Sequence, residues 1–410
     1  MPTLVTTNGA RLKASLLEMA QIGATPLGGV TRPALSDADR AARDLFAEWA
    51  QAIGLVVRVD DLGSQYARLA GSDPTLAPVL LGSHLDSVPL GGKFDGPLGV
   101  LSALEVIRTL RDNDIRPRRT IEIVNFTNEE GARFEPAMMA SGTLAGRFDA
   151  AFVNARVDRD GLAFGSELDR IGYRGLVENR PGPIHAYLEI HIEQGPVLEA
   201  EGLPLAAVSG VLGIRWMNIT LTGQAQHAGP SPMRNRRDAM VAAARIIHDL
   251  RDLLLEYPDP VVGNVGRLQA IPGIMGMIPG QVILGANVRH HTQEGLEEVY
   301  TRFVELIIRI AAEEGITAAI DLTWDVAPTA FDDGLVDLIE NEIAAAGYPR
   351  RRLTAGAGHD AKYIAEIART AMLFVRTVGG MSHCETEAID WADATAAADV
   401  LLRVVRKLTE

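Results

Sequence analysis

The feature that most constrains this chain is where its apolar runs stop. Short apolar segments at 55–60, 65–70, 78–83, 121–128 and 371–375 alternate with stretches of helical spacing at 38–53, 97–112, 333–346 and 393–408. The segment AYLEIHIE at 186–193 adds a further strand. Apolar strands separated by helices predict a mainly parallel sheet with helices on both faces. The helix over 38–53 is read as opened by a capping Asp and closed by Gly54. Around residue 212 the texture changes. A strand beginning WMNITLTG, a helix over 236–255, strands at 262–270 and 281–290, a helix at 294–314 and a strand at 316–325 follow one another. That order is the βαββαβ pattern of a small ferredoxin-like domain. The expected class is therefore α/β, with a discontinuous domain of residues 1–212 and 329–410 interrupted by an insert over 213–328.

Composition narrows the function classes. Over 410 residues, 39 basic side chains face 53 acidic ones, for a formal charge of −14. Nucleic acid and anionic membrane are not expected partners, because either would need a basic surface to displace condensed cations. No segment reaches the roughly 18 unbroken apolar residues of a membrane span. The single cysteine, Cys384, excludes an intrachain disulfide and fits a reducing compartment. Together with an N-terminus lacking the pattern of a signal peptide, this predicts a cytoplasmic protein.

Chemistry-bearing residues cluster where the strands end. His84 and Asp86 follow the 78–83 strand, and Asp95 sits just beyond, among glycines. The carboxyl ends of strands in an open α/β sheet are where ligand-binding groups gather, and Asp86 is placed to orient the His84 imidazole. Glu129 and Glu130 end the 121–128 strand. Two adjacent carboxylates enclosed together repel unless a cation is present, and with one they can divide into a ligand and a general base. Glu189, His191 and Glu193 share one face of the 186–193 strand, and His383 follows the last apolar strand. Each group taken alone could be a turn, a solvated loop or a satisfied core histidine. Together, at the ends of strands of one sheet, they point to a metal centre.

The segments GSHLDSVPLGGKFDGPLGV, FTNEEGARF, LEIHIEQGPVLE, GQAQHAGPSPMRNRRDA, AGAGHDA and GGMSH, in this order, resemble the dinuclear-metal amidohydrolases and peptidases. The closer resemblance is to the branch of N-carbamoyl-L-amino acid hydrolase, β-ureidopropionase and allantoate amidohydrolase. It implies that His84 and His191 each bind one of two divalent metals, that Asp95 bridges them, and that Glu130 and His383 complete the second. Zinc or manganese suits such mixed ligands, with cobalt or nickel as alternatives. Glu129 is implied as the general base acting on a metal-activated water, with Asp86 orienting His84. His227, in the insert, is implied to stabilise the oxyanion, often in the partner subunit's site, and the insert itself is implied to serve as lid and dimerisation domain of a homodimer. Gln194, Arg289, Gly276, Gly358 and His359 occupy substrate-binding positions, with Arg289 suited to a substrate carboxylate. Cys384 is implied to be a buried bystander.

The implied activity is hydrolysis of a linear amide or ureido C–N bond in a small carboxylate-bearing molecule such as an N-carbamoyl-L-amino acid. The alternatives are an allantoate- or ureidoglycolate-type amidohydrolase, an N-acyl-amino acid or dipeptide hydrolase, and a silent metal-stabilised binding protein. Departures from the branch's pattern fall on substrate positions. Gly276 replaces the usual Asn, Asn287 stands where an Asp is common, and Arg376 and Thr377 interrupt a usual Pro-Ser-Arg.

Overall fold

A computed structural model describes residues 5–257 and 261–410. Its contacts divide into two compact units. One is the chain up to Gly210 together with Ala330–Glu410, and the other is Val211–Thr329.

The larger unit is built on a nine-stranded mixed sheet. Its centre is four parallel strands in the spatial order Ile121–Phe126, Val79–His84, Ala186–Ile192 and Arg369–Val375. The first, second and third are wholly buried along their length, as the unbroken apolar runs require. Antiparallel strands flank them, Val56–Val59 and Gln65–Leu69 on one side and Leu205–Val211 on the other. Because the four central strands are parallel, all their carboxyl ends open on the same edge. The helix Pro97–Asp112 starts directly after the Asp95 loop, with Pro97 in its first turn, where a missing N–H costs nothing. It is buried on nearly every face.

Several local details differ from the sequence reading. The helix predicted at 38–53 runs Asp37–Ala52 and is capped by Ser36, whose hydroxyl accepts from the Asp39 amide. Ser36 keeps the extended backbone of a cap, whereas Asp37 is already helical. A first helix, Gly9–Met19, and the strands Leu205–Val211 and Arg352–Ala355 are additional. Residues 131–185, left unassigned by periodicity, form short helices closed over a small core of Leu35, Phe134, Met139, Val153, Phe164 and Leu168.

The smaller unit is a four-stranded antiparallel sheet in the order Thr317–Val326, Gly213–Thr222, Gln281–His290 and Val262–Ile271. Helices Ala239–Leu255 and Gln293–Glu313 pack on one face. Strand Gln281–His290 alternates strictly, sending Val282, Leu284, Ala286 and Val288 into that core. A two-stranded extension pairs Gln226–His227 with Met277–Ile278.

Candidate metal centre and active site

Four strand ends deliver the site. His84 is the last residue of its strand, and one of its ring nitrogens is engaged. Its Nδ1 lies 2.9 Å from the main-chain carbonyl of Asp86, so the ring hydrogen is assigned there. The His191 Nδ1 is likewise 2.9 Å from the Ile192 carbonyl. Each ring is left with a bare Nε2 aimed inward. The His191 Nε2 stands 3.1 Å and the His84 Nε2 3.5 Å from one oxygen of Asp95. Both Nε2 atoms are buried without a hydrogen-bond partner. Lone pairs pointing at a carboxylate oxygen repel it unless a cation lies between them, so the residues present fit a metal ion.

The other Asp95 oxygen faces a second group. The His383 Nε2 lies 3.3 Å from it and also 3.3 Å from Glu130. Two sets of ligand atoms, His84–Asp95–His191 and Asp95–Glu130–His383, each gather within 4.8 Å and share Asp95. His84 and His191 fall in the same group. A third set, Glu189–His191–His359, meets the same distance criterion. Glu189 is already engaged, accepting from the Ser83 hydroxyl at 2.7 Å, the Tyr187 hydroxyl at 2.9 Å and the Ala361 amide at 3.3 Å.

Electrostatics agree with a cation-dependent cluster. Burial pushes Glu130 up to about 8, reinforced by Asp95, and pushes Glu129 well above the carboxylate range, with Asp360 and Glu130 adding to it. Burial also opposes charge on Asp95, yet His191, His383 and His84 hold it well below its usual value. The hydrogen bond to Asp95 raises His383 to about 9. Without added positive charge, this site keeps protons that its carboxylates would otherwise release.

Glu129 stands 3.5 Å from the His84 Nε2, beside the first group. Asp86 contributes differently from the expectation. Its backbone carbonyl orients His84, while its carboxylate lies 3.8 Å from that Nδ1 and accepts the amides of Glu129 and Glu130 at 3.3 and 3.4 Å. It therefore holds the Glu-Glu loop as well as the imidazole. Gln194 donates to Asp95 at 2.7 Å, and its own Oε1 is buried without a partner. Glu193, read with the same face, caps Val197–Glu201 by accepting from Val197 and Leu198. Cys384 is half-buried, not fully buried, with Sγ 3.3 Å from the Thr386 hydroxyl.

His359 packs its ring 4.3 Å from that of His191 and keeps an unpartnered Nε2, and burial holds it well below the imidazole range. A Cβ on the neighbouring Gly358 would come 2.9 Å from Met138. Behind them, the Ser141 hydroxyl donates to Asp360 at 2.5 Å, a buried contact that no spacing in the sequence indicates. Backbone strain marks the same loops: Asn128, Gln194 and His383 all adopt left-handed φ values of 61, 58 and 55°.

His227, Gly276 and Arg289 belong to the smaller unit. The exposed His227 accepts the Gly229 amide at Nδ1, 3.1 Å away, which assigns its hydrogen to Nε2. Gly276 lies beside it, its carbonyl accepting from the Ala228 amide, and the space a side chain would fill is open. Arg289 points away from the helix-covered face, half-buried, with Nε 3.3 Å from Asn287.

The family model described as peptidase family M20/M25/M40 matches residues 80–407. The N-carbamoyl-L-amino-acid amidohydrolase of Rhizobium meliloti is 41% identical over 403 residues, 98% of this chain and 97% of that one. The allantoate amidohydrolase of Bacillus subtilis (strain 168) is 34% identical over 371 residues, 90% of each. Among solved structures, an amidase of the hydantoinase/carbamoylase family from Burkholderia multivorans matches with a TM-score of 0.96 and 44% identity, covering 99% of this chain and 98% of that one.

Proposed function

Because the chain belongs to peptidase family M20/M25/M40, we propose that it is a metal-dependent amidohydrolase that cleaves N-carbamoyl-L-amino acids. The observation that carries this reading is the pair of ligand groups sharing Asp95, with Glu129 beside them. His84 and His191 would hold one divalent ion with Asp95, and Glu130 and His383 a second, with zinc or manganese best suited to the donors and cobalt or nickel as alternatives. Ions held there supply Lewis acidity, polarising a carbonyl and lowering the pKa of water.

The chain's own residues do the rest. Glu129 takes a proton from the attacking water and hands it to the departing nitrogen, a task that suits a carboxyl whose proton affinity burial has raised. The His227 Nε2–H donates to the oxygen that gains negative charge. Arg289 pairs with the substrate carboxylate, and the unpartnered Gln194 oxygen accepts a substrate N–H. Gly358 and His359 stand beside the first ligand group, with the His359 ring against that of His191.

The inserted unit supports a site assembled from two chains. His227 lies beyond the Thr222/Gln281 end of the four-stranded sheet. Gln281 and Arg289 stand near opposite ends of one strand, roughly 27 Å apart at about 3.4 Å per residue. A small substrate does not span that length. His227 and Arg289 can serve it together only if they come from different copies, so the protein is proposed to be a homodimer joined through this unit. The lone cysteine favours a reducing, cytoplasmic setting.

Stripping the metal and restoring Zn, Mn, Co or Ni singly, against N-carbamoyl, N-acyl and ureido substrates, tests the reading. Turnover should vanish on chelation, return with at least one ion, and release ammonia from the carbamoyl compound. One observation favours a second reading, N-acyl-amino acid hydrolysis: Gly276 offers no side-chain amide beside His227. Turnover of acyl substrates without ammonia would select it.

A further inference from the structure

One buried carboxylate near the site is used by none of the steps above. Glu387 is 2% exposed, and among the described residues no Lys or Arg forms an ion pair with it. Its Oε1 accepts two main-chain amides, Phe94 at 3.0 Å and Asp95 at 3.1 Å. Its Oε2 accepts the Ser382 hydroxyl at 3.0 Å, and that hydroxyl also lies 3.3 Å from Asp95, so it bridges the two carboxylates. Those three donors come from two loops far apart in sequence: the one carrying Asp95 and the one carrying His383. The fold makes room for the contact, since a Cβ on Gly92 would sit 1.9 Å from the Glu387 carboxyl carbon. A buried carboxylate close to Asp95, with no Lys or Arg paired to it, is an electrostatic cost that ordinary core packing would avoid.

From this geometry we infer that Glu387 is a positioning residue, a clasp that fixes the Asp95 and His383 loops at the spacing their shared cation pair requires. The inference rests on the metal reading above, and deepens it. The two amides keep the Asp95 backbone from turning, so its two oxygens face their separate groups. The Ser382 bond ties the residue before His383 to the same anchor, which steadies a histidine held in left-handed backbone. Outer-shell partners of this kind contribute to metal affinity without touching the ion.

The test compares full-length Glu387→Gln, Glu387→Ala and Ser382→Ala with wild type, each loaded with zinc and challenged with graded chelator. Metal content is read after gel filtration, together with hydrogen–deuterium exchange over 92–96 and 380–386 without metal. Glu387→Ala is expected to lose zinc at a chelator concentration lower by about tenfold or more. Glu387→Gln keeps one acceptor for the two amides but turns its other end into a donor, which the Ser382 hydroxyl must accept, so it and Ser382→Ala should shift about threefold or more, short of the roughly tenfold that loss of a whole outer-shell partner brings. Amide exchange in both segments should rise in the Glu387 variants while the thermal midpoint stays cooperative. Zinc retention in Glu387→Gln and Ser382→Ala within twofold of wild type overturns the inference, whether or not the Ala variant folds. If wild type itself holds no zinc, the metal reading fails separately. Unchanged exchange in Glu387→Gln then overturns the clasp, and raised exchange sustains it.

Discussion

At Asp95 the two carboxylate oxygens face different neighbours, His84 and His191 on one side and His383 and Glu130 on the other. Glu129 stands next to this arrangement without belonging to either group, which is the position a proton carrier needs. Glu129→Gln keeps the shape and removes the basicity. Its kcat should fall by about 10²–10⁴-fold, with KM and bound metal close to wild type, as steady-state kinetics and metal analysis would show. Loss of metal along with rate would instead make Glu129 a ligand. The identity of these residues was legible in the sequence because His, Asp and Glu at the ends of apolar runs have no ordinary packing role there. Their division was not. Which Asp95 oxygen meets which imidazole depends on loop conformation, and so does the choice between the Asp86 carbonyl and its carboxylate as the partner of His84.

Among the elements, long amphipathic or wholly apolar segments declared themselves, and the helix Pro97–Asp112 coincides with its reading from periodicity. Strand Leu205–Val211 did not, since LAAVSGV is rich in small residues and carries a glycine. The short helices after Phe134 are stabilised by tertiary packing, not by an amphipathic period of their own. The turn between Val56–Val59 and Gln65–Leu69 holds Asp60, which accepts the Leu62 and Ser64 amides and the Tyr66 hydroxyl. Burial pushes its carboxyl up to about 6. A carboxyl raised in the folded state adds stability below the unfolded pKa, about 4, and loses it as pH rises through the folded value. Wild type should therefore lose about 2 kcal/mol relative to Asp60→Asn between pH 4 and pH 8. Paired urea titrations at the two pH values would check this, and parallel pH dependences would contradict it.

For the whole molecule, the proposed two-chain site makes a strong prediction. Glu129→Gln and His227→Ala should each be nearly inactive alone. Co-expressed at equal levels, half of the dimers are mixed, and each mixed dimer has one site with an intact Glu129 and a His227 from its partner. About a quarter of wild-type activity should return by symmetry. No recovery would mean that His227 acts within its own chain. A change of period near residue 212 marked the insert, expected over 213–328, and the contacts divide the chain at Val211–Thr329. The chain leaves the nine-stranded sheet from Leu205–Val211 and rejoins it at Thr329–Ala330, and these strands are neighbours. To the sheet, the whole inserted unit is a single long loop. Such a loop can be exchanged or redrawn while every strand that carries a ligand keeps its register. Changes in the inserted unit can thus alter what it brings to a substrate without disturbing the strand ends that carry the ligand residues.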